Sequence, residues 1–292
     1  MESGKILAGL PSFAVPDRFR VNTATLADDV EQIKRSGIKG VVLSTINGYV
    51  PDNIDFLYDL PDLEGVHMQE QVTDISPLYS LKKLKYLLLE TKSEIDLARF
   101  PEMVHLRIGE WRTNIHNISQ CKKLCWLYVY KFSPPKGGFE LLYPGDSLRS
   151  LAITRSTLSS LSGIERFTSL RSLELNYFSK LSDISQIISL NDSLDILTFE
   201  SCKKININIL SKMDKLRALI VKKGGDVQSI KFIESMSALE GVCIFDTNIL
   251  DGDISPFINN KNLQDVSFTD KKHYSLKEKD IEKALARRTP VN

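Results

Sequence analysis

The amino-acid sequence predicts an α/β solenoid in which short parallel strands alternate with short helical or irregular segments. Three apolar residues spaced like Leu170, Leu173 and Leu175 recur eleven times along the 292 residues. Successive copies are separated by 19 to 25 residues, close to the period of roughly 20 to 29 residues of repeats that each supply one strand. Because one such unit is too small to bury its own leucines, only stacked copies form a core.

The eleven apolar triplets divide the chain into a repeat region and two ends. We predict an N-terminal segment with a capping helix over residues 1–37, repeats over residues 38–270, and a C-terminal capping helix over residues 271–292. Side chains alternate along a strand, so the second and third residues of each triplet are expected to face the core. The triplets begin at Ile38, Leu63, Leu84, Met103, Leu124, Leu148, Leu170, Leu194, Leu216, Leu239 and Leu263.

A helix is predicted from Thr25 to Arg35, ahead of the first triplet. Thr25 and Asp28 have the spacing of a capping box, and Gly37 is suited to end the helix. The apolar residues of this helix share one face: Leu26, Val30 and Ile33. We expect this face to cover the open edge of the first strand, as terminal caps do in repeat proteins.

A second helix is predicted after the last triplet and ends near Arg288. Ser275 and Glu278 have capping-box spacing. Its apolar face consists of Ile281, Ala284 and Leu285. Basic residues gather in this region, and we interpret them as a solvated face of the cap rather than a nucleic-acid site. They are Lys271, Lys272, Lys277, Lys279, Arg287 and Arg288.

The segments between strands carry a further pattern, seen in Thr73–Leu78, Leu181–Ser185 and Asp253–Phe257. In each, an Asp or Ser is placed to cap a short helical turn. With these segments the chain resembles the leucine-rich repeat family, and in particular the 22-residue repeats of bacterial internalins and of phosphatase-regulating eukaryotic proteins. The resemblance covers roughly residues 38–268. It implies a curved solenoid with a parallel sheet on the concave face, and a role in protein binding.

The chain departs from the family pattern in two ways. The Asn that usually follows the strand is mostly replaced, so we expect the turn amides and carbonyls to find other partners and the curve to be irregular. The replacing residues are Gln71, Lys92, Trp111, Phe132, Ser156, Phe178, Cys202, Gly224, Thr247 and Lys271. In addition, the signal peptide and wall-anchoring features of secreted internalins are not visible, which disfavours an invasion-type function.

Composition limits the classes of partner and compartment. Lys and Arg number 38 against 37 Asp and Glu, a net charge of +1, so no long-range field recruits nucleic acid or an anionic membrane. No stretch approaches the roughly 18 apolar residues that span a bilayer. The four cysteines lack the spacing of a disulfide framework or a C-x-x-C pair. We therefore expect a cytoplasmic protein, with Cys202 and Cys243 serving as packing residues.

The side chains beside the core positions are expected to face outward on the concave sheet. In three successive repeats they form three rows of neighbouring residues. The rows are Tyr86, His105 and Trp126; Leu88, Arg107 and Tyr128; and Glu90, Gly109 and Tyr130, with Trp111 at their border. We interpret these residues, apart from Gly109, as a protein-binding site, because exposed Trp, Tyr and Arg are typical of binding hot spots.

The same rings could instead stack on one another along the sheet without binding anything. Later repeats present a thinner apolar and charged surface that could extend the site, formed by Ile196, Glu200, Ile220, Lys222 and Phe245.

Catalysis, metal binding and cofactor binding are not predicted. His105 and Cys125 are close in the register, but no oxyanion loop or orienting third residue accompanies them. His67, Glu90 and His105 lie on a diagonal whose steps are too wide for metal ligands at about 2.1 Å. Gly224 and Gly225 have no Lys-Ser/Thr after them, so they do not form a phosphate-binding loop.

The longest interruption of the repeats is Lys131–Asp146, which contains a Pro-Pro and a Gly-Gly pair. It is interpreted as a longer turn on the outer face, with a flap near the binding surface as the alternative.

The sequence therefore predicts a non-catalytic protein-binding module that uses its concave aromatic surface. By analogy, such a protein is an inhibitor or immunity-type protein that neutralises a toxin or enzyme. The alternative is a structural scaffold or regulatory subunit that assembles through its flanks or by self-association. The partner is expected to be another protein, neither nucleic acid nor membrane, and the sequence specifies neither its identity nor the oligomeric state.

Overall fold

The computed structural model describes most of the chain: residues 17–50, 53–69, 71–90, 92–111 and 114–288. The predictions for residues 1–16 and 289–292 lie outside the described residues. Two compact units are present. We call the described part of residues 12–137 and 141–149 the N-terminal unit, and residues 138–140 and 150–288 the C-terminal unit.

Within its described residues, the N-terminal unit has six parallel strands paired in chain order and a separate pair of two-residue strands. One α-helix, α1 (Leu26–Ser36), follows the first strand. The strands are β1 (Arg18–Arg20), β2 (Gly40–Leu43), β3 (Gly65–Met68), β4 (Tyr86–Leu89), β5 (Ile95–Asp96), β6 (His105–Glu110), β7 (Ile115–His116) and β8 (Trp126–Phe132), of which β5 and β7 form the separate pair. Short 3₁₀ helices connect them at Thr23–Thr25, Thr45–Asn47, Asp55–Asp59, Ser76–Ser80, Leu97–Arg99 and Ile118–Gln120.

The C-terminal unit repeats this plan with six parallel strands among its described residues. The strands are β9 (Ser150–Ser156), β10 (Ser172–Phe178), β11 (Ile196–Glu200), β12 (Ala218–Lys222), β13 (Gly241–Phe245) and β14 (Asp265–Phe268). The returning segments are 3₁₀ helices at Ile164–Arg166, Ser185–Leu190, Ile207–Lys212 and Lys231–Ser235, and the α-helices α2 (Pro256–Asn259) and α3 (Glu278–Ala286).

All eleven predicted triplets coincide with strands, so the predicted strand-and-turn repeat is confirmed. The alternation along each strand is also as predicted. Leu127 and Val129 of β8 are completely buried, as are Leu173 and Leu175 of β10, whereas the residues beside them face the other side of the sheet. Each repeat thus contributes its inward side chains to a core shared with its neighbours.

The structure contains a strand that precedes the first predicted triplet. β1 pairs in parallel with β2, placing Arg18 beside Gly40 and Arg20 beside Val42. The predicted role of α1 as a cover for the open edge of β2 is therefore wrong, because β1 occupies that edge. Helix α1 instead connects β1 to β2, and its buried residues Val30 and Ile33 face the core.

The N-terminal capping prediction for α1 is also wrong in detail. The helix ends as predicted at Gly37, which has a left-handed φ of 68°. At its start, however, Asp29 replaces Asp28 in the capping contacts. Its carboxylate accepts hydrogen bonds from the Asn22 amide at 2.8 Å and from the Thr25 hydroxyl at 3.0 Å. Asp29 is 8% exposed, so the buried carboxylate joins the helix to the turn before it.

The predicted capping box of α3 is replaced by contacts to β14 and to an earlier turn. The Ser275 hydroxyl accepts a hydrogen bond from the Ile254 amide at 3.0 Å instead of capping the helix. The Glu278 carboxylate accepts hydrogen bonds from the Ser267 hydroxyl at 2.9 Å and from the Phe268 amide at 3.2 Å. Glu278 therefore links α3 to β14 by hydrogen bonds. Ile281 and Leu285 are the buried residues of this helix.

The turns after the strands satisfy their polar groups without the usual Asn. Phe132, Phe178 and Cys202 occupy that position as buried side chains, each at most 1% exposed. The Cys202 thiol donates to the Leu175 carbonyl oxygen at 3.3 Å, and the Thr247 hydroxyl accepts from the Gly224 amide at 2.9 Å. The expectation that these turns would use other partners is confirmed.

A left-handed residue precedes this position in six successive repeats. Their φ angles lie between 50° and 67°, a region that residues other than Gly, Asn and Asp rarely adopt. The six are Lys131, Arg155, Tyr177, Ser201, Lys223 and Asp246. The recurrence shows that the strand ends require this backbone conformation whichever side chain occupies it.

The glycine pairs mark close approaches of the backbone. A Cβ atom on Gly225 would collide with the Lys203 carbonyl oxygen, and one on Gly138 would collide with the Ser162 carbonyl oxygen. In the Lys131–Asp146 stretch, Phe139 and Leu142 are completely buried. These two side chains anchor the stretch, and its role in binding stays a prediction.

We expect Lys223→Val to lower the free energy of unfolding by about 1–2 kcal/mol relative to Lys223→Gly, because a β-branched side chain disfavours the left-handed backbone. Both variants lose the same exposed ion pair with Glu200. Lys222→Val, one residue earlier in β12, is the control and should change stability by less than about 0.5 kcal/mol. Denaturant unfolding measures all three, and equal stability of the Val and Gly variants would contradict the expectation.

We also expect Glu278→Ala to lower the free energy of unfolding by about 1–3 kcal/mol, because the Phe268 amide and the Ser267 hydroxyl lose their acceptor. Glu282→Ala, at an exposed position of the same helix, removes the same charge without this contact. Thermal and urea denaturation of both variants provide the measurement. A loss of stability that is equal in the two variants would show that Glu278 acts only through its charge.

Candidate functional site

The open face of the N-terminal unit, meaning the strand residues that alternate with core residues, carries most of the predicted site. Strand pairing aligns these residues across β4, β6 and β8 as predicted for the first two rows. The rows are Tyr86, His105 and Trp126, and Leu88, Arg107 and Tyr128. Because adjacent strands are about 4.8 Å apart, the side chains within a row are neighbours.

The aromatic rings in these rows contact one another. The rings of Tyr86 and His105 meet edge to face with centroids 5.0 Å apart, and His105 lies 6.1 Å from Trp126. Trp126 stacks on Tyr128 at 6.2 Å with an interplanar angle of 12°. The Arg107 guanidinium lies 4.5 Å from the centre of the Tyr128 ring. We call these five residues the aromatic cluster.

The predicted third row is wrong. The pairing of β6 with β8 shifts between Ile108 and Glu110, so Glu110, rather than Gly109, lies opposite Tyr130. This bulge inserts one unpaired residue into β6. Gly109 is buried beneath the Glu90 side chain, whose Cγ atom would lie 3.0 Å from a Cβ at that position. Glu90 and Tyr130 therefore remain on the open face, but not in one row.

Most of the predicted site residues are less exposed to solvent than was expected of an open aromatic surface. Glu90 is exposed, Leu88 is 5% exposed, and the remaining predicted residues are half-buried. Because the rings stack on one another, each covers part of its neighbour. The rings therefore contact one another along the sheet, and Leu88 offers almost no surface to a partner.

Trp111 contacts the C-terminal part of β8. Its backbone amide donates to the Tyr130 carbonyl oxygen at 3.2 Å, and its ring meets Phe132 edge to face at 5.9 Å. Phe132 is completely buried. Trp111 is therefore held in place by the strand end and by the core.

Burial shifts the pKa values of His105 and of three cysteines, Cys121, Cys125 and Cys202. It lowers the pKa of His105, which lies between two aromatic rings, so the neutral imidazole is favoured. Burial raises the pKa of the Cys125 thiol, which disfavours the nucleophilic thiolate. Burial also raises the pKa of Cys121 to about 12 and that of Cys202 to about 11. This chemistry suits packing rather than nucleophilic attack.

The later positions predicted to extend the site lie on the open face of the C-terminal unit. Phe245 is 46% exposed and Lys222 is exposed, whereas Ile196 and Glu200 are half-buried and Ile220 is 5% exposed. Strand pairing aligns Glu200 with Lys222, and Lys222 with Phe245. Only two of the five residues thus present substantial surface.

A groove of about 780 Å³ at the start of the N-terminal unit was not predicted. Arg18 and Arg20 project to the open face of β1, because Phe19 between them pairs with the buried Val41. His67 of β3 faces the same groove. The Arg-Phe-Arg alternation is the sequence signal of a strand, but three residues carry too little pattern to identify one.

Within the described residues, no group of three or more His, Cys, Asp or Glu side chains is arranged to hold a metal ion. None of the described helices has the length and apolar character needed to cross a lipid bilayer.

Comparison with known proteins bears on the fold. No family model and no curated protein sequence matches the chain. An internalin (InlF) of Listeria monocytogenes is similar, with a TM-score of 0.57 and 17% identity over 88% of this chain and 83% of that chain. A leucine-rich repeat protein of Leptospira interrogans is similar, with a TM-score of 0.63 and 16% identity over 87% of this chain and 65% of that chain.

The functional domain of InlJ from Listeria monocytogenes also has a similar structure, with a TM-score of 0.54 and 12% identity over 92% of this chain and 66% of that chain. The chain spans slightly less than two thirds of the length of the Leptospira and InlJ structures. These likenesses, together with the parallel strands and short helices, show that the fold is a leucine-rich repeat solenoid.

We expect stability to fall on acidification through the burial of His105. Burial lowers the pKa of His105 in the folded state below 6.5, its ordinary value. The unfolded state therefore binds the proton more readily, and the free energy of unfolding decreases as the pH falls below 6.5. His105→Gln should therefore lose less unfolding free energy between about pH 7 and pH 5 than the unchanged protein. His116→Gln, at an exposed position, is the control. Equal pH dependence in all three proteins would contradict the expectation.

Proposed function

We propose that this protein is a non-catalytic binding protein that holds another protein against the aromatic cluster. The observation that supports this most directly is the continuous series of ring contacts from Tyr86 through His105 and Trp126 to Tyr128, with Arg107 over the Tyr128 ring. Trp, Tyr and Arg are the residue types that dominate binding energy at protein interfaces. The aromatic cluster presents them together on one surface.

The geometry favours tight binding because the side chains are ordered before a partner arrives. Ring contacts on both sides of His105 and of Trp126 restrict their rotamers. A partner therefore has to offset little conformational entropy when it covers these rings. The half-buried state of the rings is compatible with this role, since a partner adds contacts to the edges and faces that remain open.

We further propose that the bound partner is inhibited by being covered, as expected of an inhibitor or immunity-type protein. The fold supports such a role, because stacked repeats form a wide and rigid surface. A cytoplasmic location is part of this proposal. The four free cysteines, two of them buried with strongly raised pKa values, are consistent with a reducing compartment.

A scaffold or regulatory subunit that assembles through its flanks is the second candidate. Large apolar side chains away from the open face favour it: Val50 is 60% exposed and Tyr58 is 54% exposed. Exposed apolar side chains of this kind occur at interfaces, although single ones are common on any surface. The aromatic cluster is a larger contiguous group than these single side chains. We therefore propose it as the primary binding site.

Affinity capture with matched variants distinguishes the two candidates. The intact protein and Trp126→Ala/Tyr128→Ala are immobilised and exposed to extract of the source cells, and captured proteins are quantified by mass spectrometry. We expect the double variant to lose the partner by about thirtyfold or more, since two hot-spot residues contribute at least about 2 kcal/mol. Tyr177→Ala/Leu250→Ala, which removes two exposed large side chains of the C-terminal unit outside the predicted site, is the matched control.

Unchanged unfolding midpoints and circular dichroism confirm that the variants are folded. Undiminished capture by the cluster variant would overturn the proposed site. If Val50→Ser/Tyr58→Ser then abolished capture, assembly through the flank would replace it.

A further inference from the structure

The groove at the start of the N-terminal unit concentrates positive charge. Arg18 and Arg20 project from the same face of β1, and His67 lines the groove from β3. Strand pairing places His67 two strands from Arg20 in the same row, and Arg107 two strands further on. The pKa of His67 is lowered by burial and, secondarily, by the charges of Arg18 and Arg107. The field of these guanidinium groups therefore reaches the groove.

Arg18 and Arg20 form no ion pair or side-chain hydrogen bond with any part of the chain that the structure describes, and both are exposed. Cations elsewhere commonly bridge to carboxylates on neighbouring repeats. Such pairs are Lys83 with Asp62, Lys85 with Glu64, Lys123 with Glu102, Lys215 with Asp192, and Arg217 with Glu240. Among the described residues that line the groove, Asp17 is the one carboxylate. The described lining of the groove thus has a positive excess.

Beside the groove, the row of the sheet that begins at Arg18 has two positions without a side chain. Gly40 and Gly65 occupy the row between Arg18 and Tyr86, so no side chain rises from the sheet at those two positions. On the rim, Ile46 is 89% exposed. The groove therefore combines two guanidinium groups with an apolar contact, and the same row leads directly to the aromatic cluster at Tyr86.

We propose that this groove binds an acidic segment of the protein partner, in which two carboxylates pair with Arg18 and Arg20 and an apolar side chain packs on Ile46. The inference rests on the proposed function, because it assigns chemistry to the partner that the aromatic cluster holds. Arginine suits this role, since its planar guanidinium binds a carboxylate through two parallel hydrogen bonds. The carboxylates would neutralise the positive excess of the groove.

Fluorescence anisotropy with labelled peptides tests this binding without requiring the partner. The probes are acetyl-Gly-Glu-Leu-Glu-Gly-amide and its counterpart with Gln at both Glu positions. At about 0.15 M salt, where longer-range charge effects are screened, we expect the Glu peptide to bind at least about tenfold more tightly than the Gln peptide. We also expect Arg18→Gln/Arg20→Gln to remove this preference.

Arg35→Gln/Lys122→Gln is the matched control, because it removes two exposed positive charges from the same unit outside the groove. It should leave the Kd of the Glu peptide unchanged within about twofold. Equal binding of the two peptides would overturn the inference. The inference would also be overturned if the Arg18→Gln/Arg20→Gln variant still preferred the Glu peptide to the Gln peptide. In that case the two arginines would only protect the edge of β1.

Inorganic phosphate, added at increasing concentration, distinguishes an acidic segment from a phosphate ligand. Displacement of the peptide by phosphate at concentrations below the peptide Kd would overturn the assignment to carboxylates. The Trp126→Ala/Tyr128→Ala variant separates this inference from the proposed function. If that variant captures the partner normally while peptide binding still requires Arg18 and Arg20, the groove stands and the proposed cluster site fails. If the variant instead loses the partner while Arg18 and Arg20 prove unnecessary for peptide binding, the proposed cluster site stands and the groove inference fails.

Discussion

The structure depends on one constraint, which is that a single repeat has no means of burying its own apolar side chains. Leu127 and Val129 are completely buried only because the inward residues of adjoining segments pack against them. Removing such surface from water is the main favourable contribution to folding, at about 25 cal/mol per Å². The strands must therefore stack in parallel and in register, and this stacking forces the alternate residues outward onto the open face.

The ends of the repeat array solve a different problem, because a terminal repeat lacks a neighbour on one side. At the C-terminal end, α3 covers the last strand with Ile281 and Leu285, and Glu278 hydrogen bonds to that strand. At the N-terminal end, a three-residue strand with two arginines continues the sheet beside β2. The two ends therefore differ chemically, because β1 presents two arginines whereas α3 places a carboxylate on the last strand.

The loss of the usual Asn shows how the repeat tolerates substitution. Its position is occupied by buried Phe132, Phe178 and Cys202 in three repeats, while Thr247 supplies a hydroxyl acceptor in another. The preceding residue keeps a left-handed backbone in each of these repeats. The conformation of the turn is thus maintained by strand pairing and by the core, rather than by one particular side chain.

The sequence by itself determined the fold class, the eleven predicted strands and two rows of the candidate site, because these follow from apolar spacing that repeats along the chain. Only the tertiary structure decided the rest. The bulge at Gly109 depends on the pairing of β6 with β8, and the caps at Asp29 and Glu278 depend on partners distant in sequence or off the helix. The mutual covering of the rings and the groove beside β1 arise where separate strands meet, so no local pattern encodes them.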